Sequence, residues 1–362
     1  MNTQFFLSSF KASATDWNSW RWQLKNRVTG FAPLKRLLGN VPSDETSFKK
    51  VAAVYPMAIT PYYLSLIRDN HFSDPICAQS IPRSEEISCG RLLPEDPLEE
   101  DLKMPVPKLI HRYPDRCLAM VTEACAVYCR HCNRKRFWST DRPGSLKKRW
   151  QIMLDYLASA RQIREVIISG GDPLTLEDAV LDKLLSSLRS LPHIEILRIG
   201  SRTPVVMPMR ITRDLCRILK RHRPLWFNTQ FNHPAEITPE AARACNRLQE
   251  AGIPVSNQSV LLKGVNDLPE VMKALLNGLQ KISVRPYYLF HCDPARGCAH
   301  FRTDLTSGMA LMEAMRRQCS GLCLPQYVVD TPGRAGKIPL NALSRTIQND
   351  LKKNKHFFDK FT

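Results

Sequence analysis

The sequence predicts an α/β protein built around a parallel sheet. From about residue 117 onward, apolar runs of β type alternate with helical patterns, and such alternation implies successive βαβ units. The chain is 362 residues long and 43% hydrophobic, enough to cover both the sheet and a large core. A third observation concerns position. A loop of three cysteines, a Gly170-Gly171 turn and Asp293 each follow a predicted strand, and the catalytic groups of parallel α/β folds sit at those C-terminal strand ends.

The elements follow in order. Asp16 to Leu24 reads as a helix capped by Asp16, with Trp17, Trp20 and Leu24 on one face. Helical patterns continue through Leu34–Leu38 and Tyr62–Arg68. Residues 74–107, with Pro94, Pro97, Pro105 and Pro107, read as a lead-in loop. Six strands are then expected at Cys117–Thr122, Glu165–Ser169, Glu195–Gly200, Leu225–Phe231, Pro254–Leu262 and Ser283–Phe290. Helices are expected between them at Trp150–Arg161, Leu176–Leu188, Thr212–Arg221, Pro239–Ala251 and Glu270–Leu279. Six units are too few to close an eight-fold barrel, so an open or partial barrel is expected. The chain divides into a helical region with its lead-in (1–107), the barrel (108–337) and a short basic extension (338–362).

Charge and targeting narrow the function. Fifty-two basic and 34 acidic residues give a net charge of +18. That excess suits nucleic acid, or a soluble enzyme with phosphate-bearing cofactors. The basic residues are scattered and lack interleaved aromatics, which favours the enzyme. The tail from Lys352 to Phe358 reads as a solvated end or a weak contact site. No run of 18 apolar residues occurs, so no transmembrane helix is expected. The N-terminus lacks a basic stretch and a cleavage signal, so a cytoplasmic chain is expected. In that reducing compartment the 12 cysteines are thiols or ligands rather than disulfides. Cys319 and Cys323 have a ligand-like spacing without a nearby third partner.

Cys125, Cys129 and Cys132, at spacings of four and three, can be presented by one tight loop. Three thiolates there suit a soft metal or an iron–sulfur cluster. A structural zinc site, which wants four closed ligands, stays open from the spacing alone. So does chance.

The context of that loop is more specific. The stretch Thr122 to Phe137 (TEACAVYCRHCNRKRF), then Ile168 to Leu174 (ISGGDPL), Asn257 to Leu262 (NQSVLL) and Pro332 to Lys337 (PGRAGK) occur in that order. The first is similar to the CxxxCxxC signature of the radical S-adenosylmethionine (SAM) enzymes. Together they closely resemble the lysine 2,3-aminomutase family, over most of the chain from Trp17 to about Leu340.

The resemblance implies a partial (β/α)6 radical SAM barrel. It also implies a [4Fe–4S] cluster on Cys125, Cys129 and Cys132, with one iron left open for SAM. Gly170, Gly171 and Asp172 match a motif against the amino-acid end of SAM, and Gln258 matches a position in the same pocket. Glycines there permit positive φ and close approach of a ligand. Lys337 matches the lysine that carries pyridoxal phosphate (PLP) as a Schiff base, with Arg112, Tyr113 and Arg116 in the segment used for that cofactor. Arginine forks suit phosphate oxygens. Arg134 matches the residue that pairs with the substrate α-carboxylate. Asp293 and Asp330 match the pair that receives the distal ammonium of lysine.

The implied activity is a 2,3-aminomutase moving the α-amino group of L-lysine to the β-carbon, with L-arginine as the alternative cationic substrate. The implied partners are a reducing donor such as flavodoxin or ferredoxin and further copies of the chain. A radical SAM enzyme that modifies nucleic acid is the alternative of another class; it would have no use for PLP. Some residues depart from the family pattern. Arg334 and Ala335 interrupt a glycine-rich run before Lys337. Phe290 and His291 replace tyrosine and glutamine. The C-terminal zinc-binding cysteines of some members are missing, so no structural zinc is expected and oligomer contacts through that extension are in doubt.

Overall fold

The structure is a computed structural model that describes residues 3–138, 146–332 and 336–340. Arg334, Ala335 and nearly all of the basic extension, from residue 341, lie outside the described residues.

All six expected strands form, with ends shifted by a residue or two. They are β2 (Arg116–Thr122), β3 (Glu165–Gly170), β4 (Ile196–Gly200), β5 (Leu225–Thr229), β6 (Val255–Leu261) and β7 (Arg285–His291). A further parallel strand, β8 (Gln326–Asp330), follows β7, and antiparallel edge strands β1 (Leu109–Tyr113) and β9 (Lys337–Pro339) flank the sheet. Among the described residues these nine strands lie in sequence order, each paired with its chain neighbours. Helices Leu146–Ser159, Asp178–Arg189, Arg213–Arg221, Pro239–Glu250, Pro269–Lys281 and Leu305–Gln318 carry the chain back between the parallel strands. Six βα units plus a final strand thus make the partial barrel.

The helix sequences explain which side they cover. Leu181, Leu184, Leu185 and Leu188 recur at one face of their helix, as do Met272, Leu275, Leu276 and Leu279, and all are buried. That 3.6-residue stripe packs on the sheet. The strands answer with alternation: Val166 and Ile168, Leu197 and Ile199 are fully buried. Burial of each such side chain contributes roughly 1.5–3 kcal/mol. The intervening positions, Ile167, Ser169, Arg198 and Gly200, face the lumen and line a cavity.

The N-terminal region forms as short helices. The expected helix from Asp16 to Leu24 is broken in two. Ser13, not Asp16, caps Ala14–Trp17, and Asp16 completes a capping box; Ser19 caps Trp20–Lys25. Trp17 and Trp20 are buried as expected. Tyr62–Arg68 is helical only over Pro61–Leu64. The lead-in is more ordered than its prolines suggest, with helices at Pro75–Ser80 and Glu85–Ser88, the first capped by Asp74 with a proline at its first position. This region shares one continuous core with the barrel, running from Phe6 to Leu340. It is tied to the strand-end loops where Thr60 Oγ1 donates to the Val206 carbonyl (2.6 Å) and Tyr63 OH donates to Glu236 (2.6 Å). Among the described residues no helix is long and apolar enough to cross a membrane.

Candidate active site

The cysteine loop leaves β2 and is held almost entirely by its surroundings. The Gly171 and Asp172 amides donate to the Thr122 and Ala124 carbonyls, and the Tyr128 and Arg130 amides donate to those of Ala58 and Gln79. The Arg130 guanidinium, wholly buried, forks onto Glu86 and also donates to the Tyr55 and Pro56 carbonyls. Lys135 joins the same carboxylate at 3.0 Å. Burial alone would raise the Glu86 pKa, but Arg130 and Lys135 override it and hold the carboxyl below its usual range.

Gly170 and Gly171 are needed for a reason the sequence did not disclose. Gly170 has φ +129°, and a Cβ there would lie 2.2 Å from the Thr122 carbonyl oxygen; one on Gly171 would lie 2.3 Å from that of Ala124. The close approach is to the backbone of the cysteine loop. Asp172 then locks the next loop in place. Its carboxylate accepts from the Leu174 and Arg202 amides and from Ser201 Oγ (2.7 Å).

A cavity of about 350 Å³ opens over the C-terminal strand ends. Cys125, Cys129, Cys132, Arg134, Gly170, Gly171, Asp172, Gln258, Asp293, Asp330 and Lys337 all line it. Chain segments more than 200 residues apart are thus gathered by the strand order alone. All three cysteines are free thiols. Burial, with neighbouring acids, pushes the Cys125 thiol well up, and burial with Cys129 raises Cys132. The positive charge of a metal group would favour the thiolate forms of Cys125 and Cys132. Among the described residues no three ligand-type side chains converge on one ion position.

At the other end of the cavity, the antiparallel pairing of β8 with β9 sets Lys337 opposite Asp330. Lys337 Nζ lies 3.2 Å from Asp330, whose other oxygen is 2.9 Å from Arg112 Nη1. The same nitrogen is 5.6 Å from the Tyr113 ring and 5.7 Å from that of Phe290. Arg116 stacks over Tyr113 at 3.8 Å. Arg112, Tyr113 and Arg116 do not line the cavity; Arg112 is joined to Lys337 through Asp330, Tyr113 stands beside Lys337, and Arg116 stacks on Tyr113. The loop is closed by Thr331, whose amide and hydroxyl both donate to the Gly336 carbonyl.

Asp293 accepts a hydrogen bond from Asn133 (2.6 Å) and, among the described residues, makes no ion pair. Burial and then the charge of Asp330 push its carboxyl up to about 7. His291 is held by Tyr327 at 2.8 Å and is kept neutral, its pKa brought down to about 4 by burial and Arg302. Arg134 forks onto buried Glu100, with Nε at 3.0 Å, so part of its hydrogen-bonding capacity is committed within the chain.

Four of these residues were not singled out in the sequence: Asn133, Glu100, Arg202 and Glu236. Asn133 follows the last cysteine, and Arg202 follows the end of β4, so strand-end position was the available signal. Glu100 sits in a proline-rich loop and offered none.

A radical SAM superfamily model matches residues 120–275, from the middle of β2 into the helix after β6. The L-lysine 2,3-aminomutase of Clostridium subterminale is 48% identical over 328 residues, covering 91% of this chain and 79% of that protein. That of Bacillus subtilis is 44% identical over 90% of this chain and 69% of the relative. The glutamate 2,3-aminomutase of Clostridioides difficile is 41% identical over 93% and 80%.

The chain belongs to the lysine 2,3-aminomutase family of radical SAM enzymes. It is therefore an isomerase, and membership implies a [4Fe–4S] cluster and SAM. The three free thiols and the cavity beside them fit those groups.

Proposed function

We propose that this enzyme converts L-lysine to β-lysine, using PLP bound at Lys337 beside the cluster and SAM. The observation that carries the substrate is Asp293: a carboxylate facing the cavity, hydrogen-bonded to a neutral amide and, among the described residues, without an ion pair. Such a group is costly until a cation arrives. Asp330 adds a second negative charge. A distal ammonium satisfies both, whereas the side-chain carboxylate of glutamate would be repelled.

Each residue then has a task. Cys125, Cys129 and Cys132 hold the cluster, and Gly170, Gly171, Asp172 and Gln258 shape the SAM side of the cavity. Arg134, steadied by Glu100, offers its remaining donors to the α-carboxylate. Lys337 would hold PLP through its side-chain nitrogen, Arg112 and Arg116 would supply cationic donors for the phosphate, and Tyr113 would offer a surface for the ring. When bound, the cluster with SAM supplies a 5′-deoxyadenosyl radical, and PLP supplies the carbonyl that carries the migrating nitrogen. The protein orients these groups and excludes water. An external one-electron donor such as flavodoxin or ferredoxin completes the requirement.

Borohydride treatment of the PLP-loaded enzyme, followed by peptide mapping, tests the assignment of Lys337. A reduced pyridoxyl label is expected on Lys337; a label on another lysine would overturn it.

The pH dependence follows from Asp293. Its folded pKa is about 7, raised from 3.8, and only the ionised form attracts a cation. Lysine affinity should therefore rise as pH increases through 7 and level off above it. Between pH 8 and pH 6 the apparent KM should increase roughly tenfold, as titration of one group near 7 requires. The Asp293→Asn enzyme should lack that dependence; an unchanged profile in the variant would exclude Asp293 as the group responsible.

A further inference from the structure

We propose that Arg202 is a positioning residue that raises the reduction potential of the cluster by donating a hydrogen bond to the sulfur of Cys129. The proposal rests on the cluster assignment above and goes beyond it.

Arg202 stands two residues past the end of β4 and is 8% exposed. Its Nη1 lies 2.8 Å from Cys129 Sγ. The rest of the guanidinium is fixed from several elements. Nε donates to the Gln230 carbonyl (3.1 Å), and Nη2 meets Glu236 (2.6 Å), Gln79 (2.7 Å) and Tyr63 OH (3.2 Å). The Arg202 backbone amide donates to Asp172 (2.9 Å). The planar fork therefore has little freedom, and one edge is aimed at the sulfur.

Glu236 is the only full anion paired with Arg202 among the described ion pairs, and its charge is already shared. It is wholly buried and accepts from Tyr63 OH (2.6 Å), the Asn232 amide (2.6 Å), the His233 amide (3.0 Å) and Gln79 Nε2 (3.2 Å). Neutral donors thus spread the carboxylate charge and leave the cationic fork effective toward Cys129. Hydrogen bonds and positive charge at a ligating sulfur favour the more negative, reduced cluster. The step is a single electron added to the oxidised cluster from a low-potential flavin or iron–sulfur donor, with no bond made or broken.

The test uses the full-length chain, reconstituted anaerobically and titrated against a chemical reductant, with the reduced cluster followed by electron paramagnetic resonance (EPR). Glu236→Gln removes the anion and keeps Arg202. The double variant Arg202→Gln/Glu236→Gln also removes the cation, so no buried charge is left alone. At a fixed poise the reduced-to-oxidised ratio is expected to be at least about tenfold lower in the double variant than in Glu236→Gln, or about 59 mV for one electron. Equal ratios would overturn the proposal.

Should either variant fail to retain iron, a measurement on the parent decides. With arginine labelled by 15N in the guanidino group, the reduced cluster is expected to show a 15N hyperfine coupling that Arg202→Lys removes. A parent with a full cluster and no such coupling refutes the proposal. A parent that binds no iron refutes the cluster reading itself, and this inference falls with it.

Discussion

Replacing Cys125, Cys129 and Cys132 together with alanine is expected to remove the cluster iron and abolish amino-group migration, while the chain stays folded. The loop that carries them does not depend on the sulfurs. Its backbone is fastened to Ala58, Gln79 and the β3 turn, and its side chains to Glu86 through Arg130 and Lys135. Each loss of a small sulfur costs about 1 kcal/mol, the centre of the range for ordinary substitutions. Iron analysis and circular dichroism of the anaerobically purified triple variant check both halves. Full iron content in that variant would contradict the assignment.

Asp293→Asn is expected to lower lysine turnover by at least about tenfold, equivalent to about 1.4 kcal/mol. A charge-assisted hydrogen bond to one ammonium contributes roughly 1.5–3 kcal/mol. The loss can exceed that, because a buried ammonium is then short of a counter-charge. Placement adds to affinity, since hydrogen abstraction requires the β-carbon to be held close to the radical. Cluster and PLP contents should be unchanged in this variant. Asp330→Asn should lower turnover to a similar degree, but it also releases Arg112 and Lys337, with which Asp330 is paired. PLP occupancy should therefore be measured alongside it. Parent-like lysine turnover in both variants would show that these carboxylates do not read the substrate.

Much of this architecture was legible in the chain because its signals are local. The six parallel strands are short apolar runs, and the helices between them repeat leucine at three and four residues. The cysteine spacing and the Gly170-Gly171 turn are contiguous motifs. What escaped depends on contacts distant in sequence. The helix before β8 contains Gly308, which weakens a helical pattern and with it the βα alternation that would have announced the strand. The structure explains that glycine, because a Cβ there would lie 2.0 Å from Tyr327 OH on β8. The same holds in the site. Arg202 reaches Cys129 across 73 residues, and Asn133 reaches Asp293 across 160. No spacing rule connects them; they meet only because successive parallel strands bring their C-terminal ends to one rim. The capping by Ser13 in place of Asp16 is a smaller case. Both residues can cap, and the choice is made by where the helix breaks.

The most direct measurement of the reaction and its substrate is anaerobic reconstitution with iron, sulfide, PLP, SAM and a reductant, followed by separate incubation with L-lysine, L-arginine, L-ornithine and L-glutamate and analysis for β-isomers. β-Lysine is expected as the main product, with no β-glutamate. Preferential formation of β-arginine would keep the cation pocket and replace the substrate, whereas β-glutamate, or no β-amino acid from a fully loaded enzyme, would contradict the account.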